Sequence, residues 1–221
     1  VAMAADAEAT LPALIEACKR LITGDRRTAF EARGKRLAEA HGRALERARA
    51  EAAYAWDASP ISTARMTMEL WAQIKKEDWA LVAESGIMSD WTSQLWNFEK
   101  HYQSLGGSGG AGVGYGAPAA VGAALANKKH GRLSVTIQGD GDFLYAPGVW
   151  WTAAHHRIPL LAVMHNNRAY HQEVMHLQRM ANRHNRGITR AHIGTTIEDP
   201  NIDFAKIAQG MGVHAQEVDG V

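Results

Sequence analysis

The chain carries a single cysteine, Cys18, among its 221 residues. An intrachain disulfide is therefore excluded, and the lone thiol fits a reducing cytoplasm. No apolar run approaches the roughly 18 residues needed to span a bilayer. An excess of charge is missing too: 24 Lys and Arg stand against 23 Asp and Glu, a formal net charge of +1. That balance argues for neither nucleic acid nor a membrane surface as partner. The opening residues, VAMAADAEAT, have no basic patch, no continuous apolar core of a secretory signal and no initiator methionine. The chain stops as abruptly, just after VHAQEV, so it reads as a piece of a longer protein. With 46% hydrophobic and 21% charged residues it is a soluble, globular sequence. Its length suits one sizeable domain plus an appendage.

Leu11, Leu14, Ile15, Cys18, Leu21 and Ile22 recur at helical spacing, which predicts a helix over 8–23 with Gly24 as its stop. Residues 25–56 mix Ala, Arg and Glu with little apolar content, the pattern of a long solvated helix. Ser59-Pro60 breaks the chain, and Ser62 or Thr63 can cap a new helix reaching about Lys75. Strand and helix signals then alternate. Strands are expected at WALVAES (79–85), RLSVTIQ (132–138), PLLAVMH (159–165) and VHAQEV (213–218). Helices are expected after the glycine-rich loop that starts at 106, over 146–156 and over 201–212. This alternation predicts an α/β fold, an open parallel sheet with helices on both faces, preceded by a helical segment.

Two strand ends carry the chemistry. The strand at 132–138 runs into Gly139-Asp140-Gly141-Asp142, and the strand at 159–165 into Asn166-Asn167. In an open parallel sheet, ligands collect at the carboxyl ends of strands. A right-handed crossover brings two successive ends together. Gly139 and Gly141 permit a sharp turn and a close approach by a ligand. A helix starting near Ala146-Pro147 would point its free N–H groups at an anion there. One carboxylate, one amide oxygen, a backbone carbonyl and an anionic ligand make an all-oxygen set suited to Mg²⁺. Taken singly, GDG and NN are ordinary turn and strand-exit sequences. Their pairing on adjacent strand ends points to a metal–diphosphate site.

The GDG…NN pairing resembles the signature of thiamine diphosphate enzymes of the acetolactate synthase and 2-oxo acid decarboxylase type. GVGYGAPAAVGAALA (112–126) is similar to a GxGxPAAxGAxLA segment of that family, and AESGIMSDW (83–91) to the loop that cups the diphosphate. The resemblance covers about residues 59–221, the carboxy-terminal diphosphate-binding domain, truncated at its C-terminus. Residues 1–58 would then be the end of a middle domain and a helical linker. By position, the resemblance implies that Asp140, Asn167 and the carbonyl of Ala169 hold Mg²⁺. Gly139, Gly141 and Asp142 would line the diphosphate, together with the backbone of Ile87 and Met88. Relatives often carry Ser where Asp142 stands, and a second carboxylate there needs a donor or a metal. Val113 would support the bend between the cofactor rings, or else be ordinary core, and the carbonyl of Ala111 would accept from the aminopyrimidine. Glu173 falls where the pyruvate decarboxylase branch has a glutamate near the reacting carbon; it is either a proton relay or a solvated helix residue. His171 and Tyr170 are secondary candidates.

The implied activity is making or breaking a C–C bond next to a carbonyl of a 2-oxo acid or aldehyde, with the cofactor ring as electron sink. The implied partners are an amino-terminal pyrimidine-binding domain of the same or a neighbouring subunit and further copies in a homodimer or homotetramer. FAD use is left open. The alternative is a catalytically silent cofactor-binding fragment or regulatory subunit.

Other signals are weaker. Gly107 to Gly112 matches GxGxxG, which would suit an NAD-dependent dehydrogenase, but FEKHYQSL before it is a poor strand and no acid follows about 20 residues on. Residues 165–192 hold five histidines without zinc spacing and one aromatic, Tyr170, too few for a nucleic-acid face. A loop folding over the cofactor is the expectation there.

Overall fold

The structure, a computed structural model, describes residues 2, 4–84, 90–107, 109–110 and 112–218. It divides into two compact units, Val1–Glu51 and Ala52–Val221.

The first unit is helical. Helix α1 (Ala7–Arg20) starts where the Asp6 carboxylate accepts the Ala9 N–H at 2.8 Å, and none of its residues is buried. Gly24 does not follow a stop as its last residue; it opens α2 (Gly24–Ala52). The break lies at 21–23, where the Thr23 carbonyl and hydroxyl accept the N–H groups of Arg27 and Arg26 and so start the next helix. Among the described residues no helix is long and apolar enough to cross a membrane.

The second unit opens with α3 (Thr63–Ile74), capped by the Ser62 hydroxyl on the Arg65 N–H at 3.2 Å. Strands β1 (Trp79–Glu84), β2 (Leu133–Gly139) and β3 (Leu161–His165) then form an open parallel sheet in the order β1-β2-β3. Ser104 bridges to Leu81 in β1. Helix α4 (Trp91–Leu95) follows β1, and α5 (Gly116–Lys128) precedes β2. The small residues of α5 let it lie close on one face, where Ala120 packs with Ala80 and Val82 of β1, all buried. Trp79, next along β1, points to the other face and meets Trp71 of α3 and Trp96 after α4. Alternating residues of β1 and β2 are thus buried on both faces, as the sequence predicts, whereas β3 is half-buried at best and Leu161 is 40% exposed.

Helices α6 (Asp140–Phe143) and α7 (Val149–His155) connect β2 to β3, and α9 (Phe204–Gly210) packs on the same core as α7 through Ala208. Two expectations change. Residues 213–218 form no strand: no partner strand pairs with them among the described residues, and Val213 and Ala215 instead pack against the core. Residues 171–183 form a helix, α8 (His171–Arg183), not a loop. Val174, Leu177 and Ala181 keep helical spacing within a composition dominated by charge and histidine.

Candidate functional site

β2 ends in extended backbone at Gly139 (φ −78°), and α6 begins at Asp140 itself. The turn is anchored from below by Phe143, fully buried and stacked on Trp150 at 5.4 Å. Gly139 lies in a conformation open to any residue, so left-handed freedom is not what that position requires. The helix expected near Ala146 begins later, at Val149.

Asp140 is 1% exposed. Its Oδ1 accepts the Gly141 N–H at 2.8 Å, while its Oδ2 is buried without a hydrogen-bond partner. Burial pushes the carboxyl above the ordinary aspartate range, partly opposed by the N–H groups of Gly141, Arg168 and Ala169. Those N–H groups come from both strand ends, so the crossover has brought them together as expected. Gly139 and His165 are register partners in the β2–β3 ladder. His165 adds a second buried orphan, its Nδ1. Burial holds its imidazole below the usual range, against the pull of the Asp140 charge.

The chain turns sharply after β3, with Arg168 at φ +57°. Asn167 is exposed, and its Oδ1 accepts the Ala169 N–H at 3.0 Å, leaving that oxygen a further lone pair. Ala169 bridges antiparallel to Thr196. The bonds across this bridge use the Tyr170 N–H (to Thr195, 2.8 Å) and the Arg168 carbonyl (from Ile197, 2.7 Å), not the Ala169 carbonyl.

Asp142 accepts the Gly114 N–H through Oδ1 at 2.6 Å. The donor that a second carboxylate demands is thus supplied by the glycine-rich loop. Val113 is 57% exposed in this chain. The space beside Gly141 is filled from within the protein: a Cβ there would meet the Tyr170 ring at 2.6 Å. Glu173 and His171 occupy the first turn of α8, both exposed. Ile87, Met88 and Ala111 lie outside the described residues.

Sequence reasoning missed His165, whose signal was a polar residue closing an apolar strand. It also missed that Tyr145 packs where a Cβ on Gly114 would lie, 2.5 Å from the Tyr145 Cβ, which no local pattern announces. The GxGxxG match has no strand before it: 98–105 contributes a single bridge residue, Ser104. Among the described residues no group of three or more His, Cys, Asp or Glu is placed to hold a metal. A cation here would have to use amide and carbonyl oxygens as well.

Residues 84–220 match the model of the thiamine pyrophosphate enzyme C-terminal TPP binding domain. The chain belongs to the thiamine pyrophosphate enzyme family. It is 37% identical over 109 residues to the IlvX protein of Mycobacterium tuberculosis, covering 49% of this chain and 21% of that one. It is 35% identical over 104 residues to benzoylformate decarboxylase of Pseudomonas aeruginosa, covering 47% and 18%. Among solved structures it is similar to the thiamine diphosphate-dependent 4-hydroxybenzoylformate decarboxylase of Rhodococcus jostii RHA1. That match has a TM-score of 0.56 and 29% identity, and covers 70% of this chain and 28% of the other. The chain thus spans about a fifth of the length of the curated relatives it matches. As a thiamine pyrophosphate-binding domain it presents the GDG and NN ends side by side, with one buried carboxylate oxygen unmatched.

Proposed function

We propose that this domain holds the diphosphate of thiamine diphosphate through Mg²⁺, in an enzyme that makes or breaks a C–C bond next to the carbonyl of a 2-oxo acid or aldehyde. The observation that carries the cation is Asp140 Oδ2. A buried carboxylate oxygen without a donor costs free energy that a cation returns. Asn167 Oδ1 and the Ala169 carbonyl, on the segment whose N–H groups face Asp140, complete an oxygen set that suits Mg²⁺ plus phosphate oxygens.

When bound, thiamine diphosphate supplies a nucleophilic ring carbon and an electron sink for the bond being cleaved. This chain's residues bind and orient. Asp140, Asn167 and Ala169 fix the cation, while Gly139, Gly141 and the Asp142–Gly114 clamp shape the wall beside the diphosphate. Val113, exposed next to Gly114, is the proposed support for the cofactor's bend, and Ala111, Ile87 and Met88 keep their proposed backbone roles. Glu173, with His171 beside it, is the proposed proton carrier at the head of α8.

The whole enzyme needs an amino-terminal pyrimidine-binding domain from the same or a neighbouring subunit, which implies a homo-oligomer. Residues 1–58 are read as the end of a middle domain with its linker, and the exposed thiol of Cys18 fits a cytoplasmic setting.

The test is a thiamine diphosphate titration of the full-length protein followed by tryptophan fluorescence, with Mg²⁺ and with a chelator. Saturable binding that requires the metal and weakens in Asp140→Ala and Asn167→Ala supports the reading. Metal-independent binding, or none, overturns it. Turnover of a 2-oxo acid separates an enzyme from a silent binding subunit.

A further inference from the structure

Two glycines at the site give up their side-chain space to tyrosines. A Cβ on Gly141 would lie 2.6 Å from Cδ1 and 2.7 Å from Cε1 of Tyr170. A Cβ on Gly114 would lie 2.5 Å from Cβ of Tyr145. The two tyrosine rings meet edge to face with centroids 6.3 Å apart. Each tyrosine belongs to a different loop, and each covers a glycine on another. Tyr145 follows α6 and covers the glycine-rich loop; Tyr170 follows β3 and covers α6 at Gly141. The carboxylate of Asp142 closes the circuit by accepting the Gly114 N–H at 2.6 Å. Tyr170 is itself held at its backbone, where its N–H donates to Thr195 at 2.8 Å.

Three loops at the carboxyl ends of the strands are therefore joined by one pair of rings. Edge-to-face aromatic contacts hold a fixed mutual angle, which a pair of aliphatic side chains would not. Neither ring belongs to the buried core: Tyr145 is 62% exposed, and Tyr170 is half-buried.

We infer that Tyr145 and Tyr170 are positioning residues for the cation–diphosphate site, and that Gly141 is a glycine because Tyr170 covers it, not because the cofactor does. The inference rests on the proposed cofactor reading and goes beyond it by assigning two residues that act through Asp140, Gly114 and Gly141. Gly141 makes the clean test, because only Gly114 of the two adopts a left-handed φ (+88°), where any side chain is strained.

The experiment measures Mg²⁺-dependent thiamine diphosphate affinity, and melting temperature without ligand, in the full-length protein. The variants are Gly141→Ala, Tyr170→Ala, Tyr170→Phe and the double variant Gly141→Ala/Tyr170→Ala. Loss of the ring contact is expected to weaken Kd about tenfold or more in Tyr170→Ala, the scale seen when groups orienting metal ligands are removed. Tyr170→Phe, which keeps the ring, should restore affinity to near wild type. Gly141→Ala should weaken binding more than Tyr170→Ala, and the double variant should recover to the Tyr170→Ala level. Both tyrosine single variants should melt within a few degrees of wild type, so that the affinity loss is not a folding loss.

If the double variant binds no better than Gly141→Ala while wild type binds normally, the cofactor itself needs the space at Gly141 and this inference is overturned alone. If wild type does not bind thiamine diphosphate, the cofactor reading falls and the positioning role falls with it. If Tyr170→Ala binds as wild type does, the ring is packing only and the role is refuted.

Discussion

Trp79, in β1, and Asp140, just beyond the end of β2, are both about 1% exposed, yet their surroundings obey opposite rules. Trp79 is boxed by Trp71, Trp96 and Phe98 at centroid distances of 5.4, 5.5 and 5.3 Å. The polar atom nearby is satisfied: the Trp96 indole N–H donates to the Thr67 carbonyl at 3.1 Å. Around Asp140 burial is as complete, but the polar atoms are only partly matched. Its Oδ2 and the Nδ1 of His165 lack partners, while Val113 and Tyr145 stand more than half exposed. The first region spends sequence on stability, and the second carries uncompensated burial of the kind found where a ligand completes the structure.

The sharpest way to break this comparison is to exchange the two expectations by mutation. Trp79→Ala should cost about 3–5 kcal/mol of stability by leaving a large cavity among three rings. The check is chemical denaturation of the ligand-free protein; a cost below about 1 kcal/mol would mean that the box does not hold β1 in place. Asp140→Asn should do the reverse. Ligand-free stability should be equal to or higher than wild type, since the neutral amide removes the cost of burying an ionised carboxylate. Mg²⁺-dependent binding of thiamine diphosphate should weaken by about 10–100-fold. If Asp140→Asn instead unfolds the protein, the buried carboxylate is structural and the contrast collapses.

The architecture was legible because alternation of strands and helices, and the doubly apolar strands, depend on local pattern alone. The meeting of GDG and NN was legible, since they fall at strand ends that topology must bring together. What escaped had no local signature. Residues 213–218 alternate as a strand should, but a strand exists only by pairing. The helix at 171–183 hid its apolar stripe behind histidines and arginines. The Tyr170 ring beside Gly141 lies 29 residues further along the chain, beyond the reach of any local pattern.

A pH series sharpens the same contrast with a smaller effect. The folded pKa of Asp140 lies above its unfolded value of 3.8. The folded state therefore binds the proton more readily, and this group's favourable contribution is present below 3.8 and lost as pH rises through the raised folded pKa. Cation binding needs the deprotonated carboxylate and should offset that loss. The rise in melting temperature produced by Mg²⁺ with thiamine diphosphate should grow as pH rises through the folded pKa of Asp140 and then level. A rise that is flat across this range would mean that Asp140 is not the ligand.

The smallest effect belongs to the cap of α3. Ser62 accepts the Arg65 N–H at 3.2 Å, and α3 is the helix that carries Trp71 into the aromatic box. Ser62→Ala removes one capping bond and should cost about 1 kcal/mol of stability. The site is fed by β2, β3 and the loops joined by Tyr145 and Tyr170, none of which starts from α3. Affinity for Mg²⁺ with thiamine diphosphate, measured well below the melting temperature, should therefore be unchanged. If affinity falls along with stability, the two regions are energetically coupled through β1, and the division between a packed face and an unfinished end is one of degree.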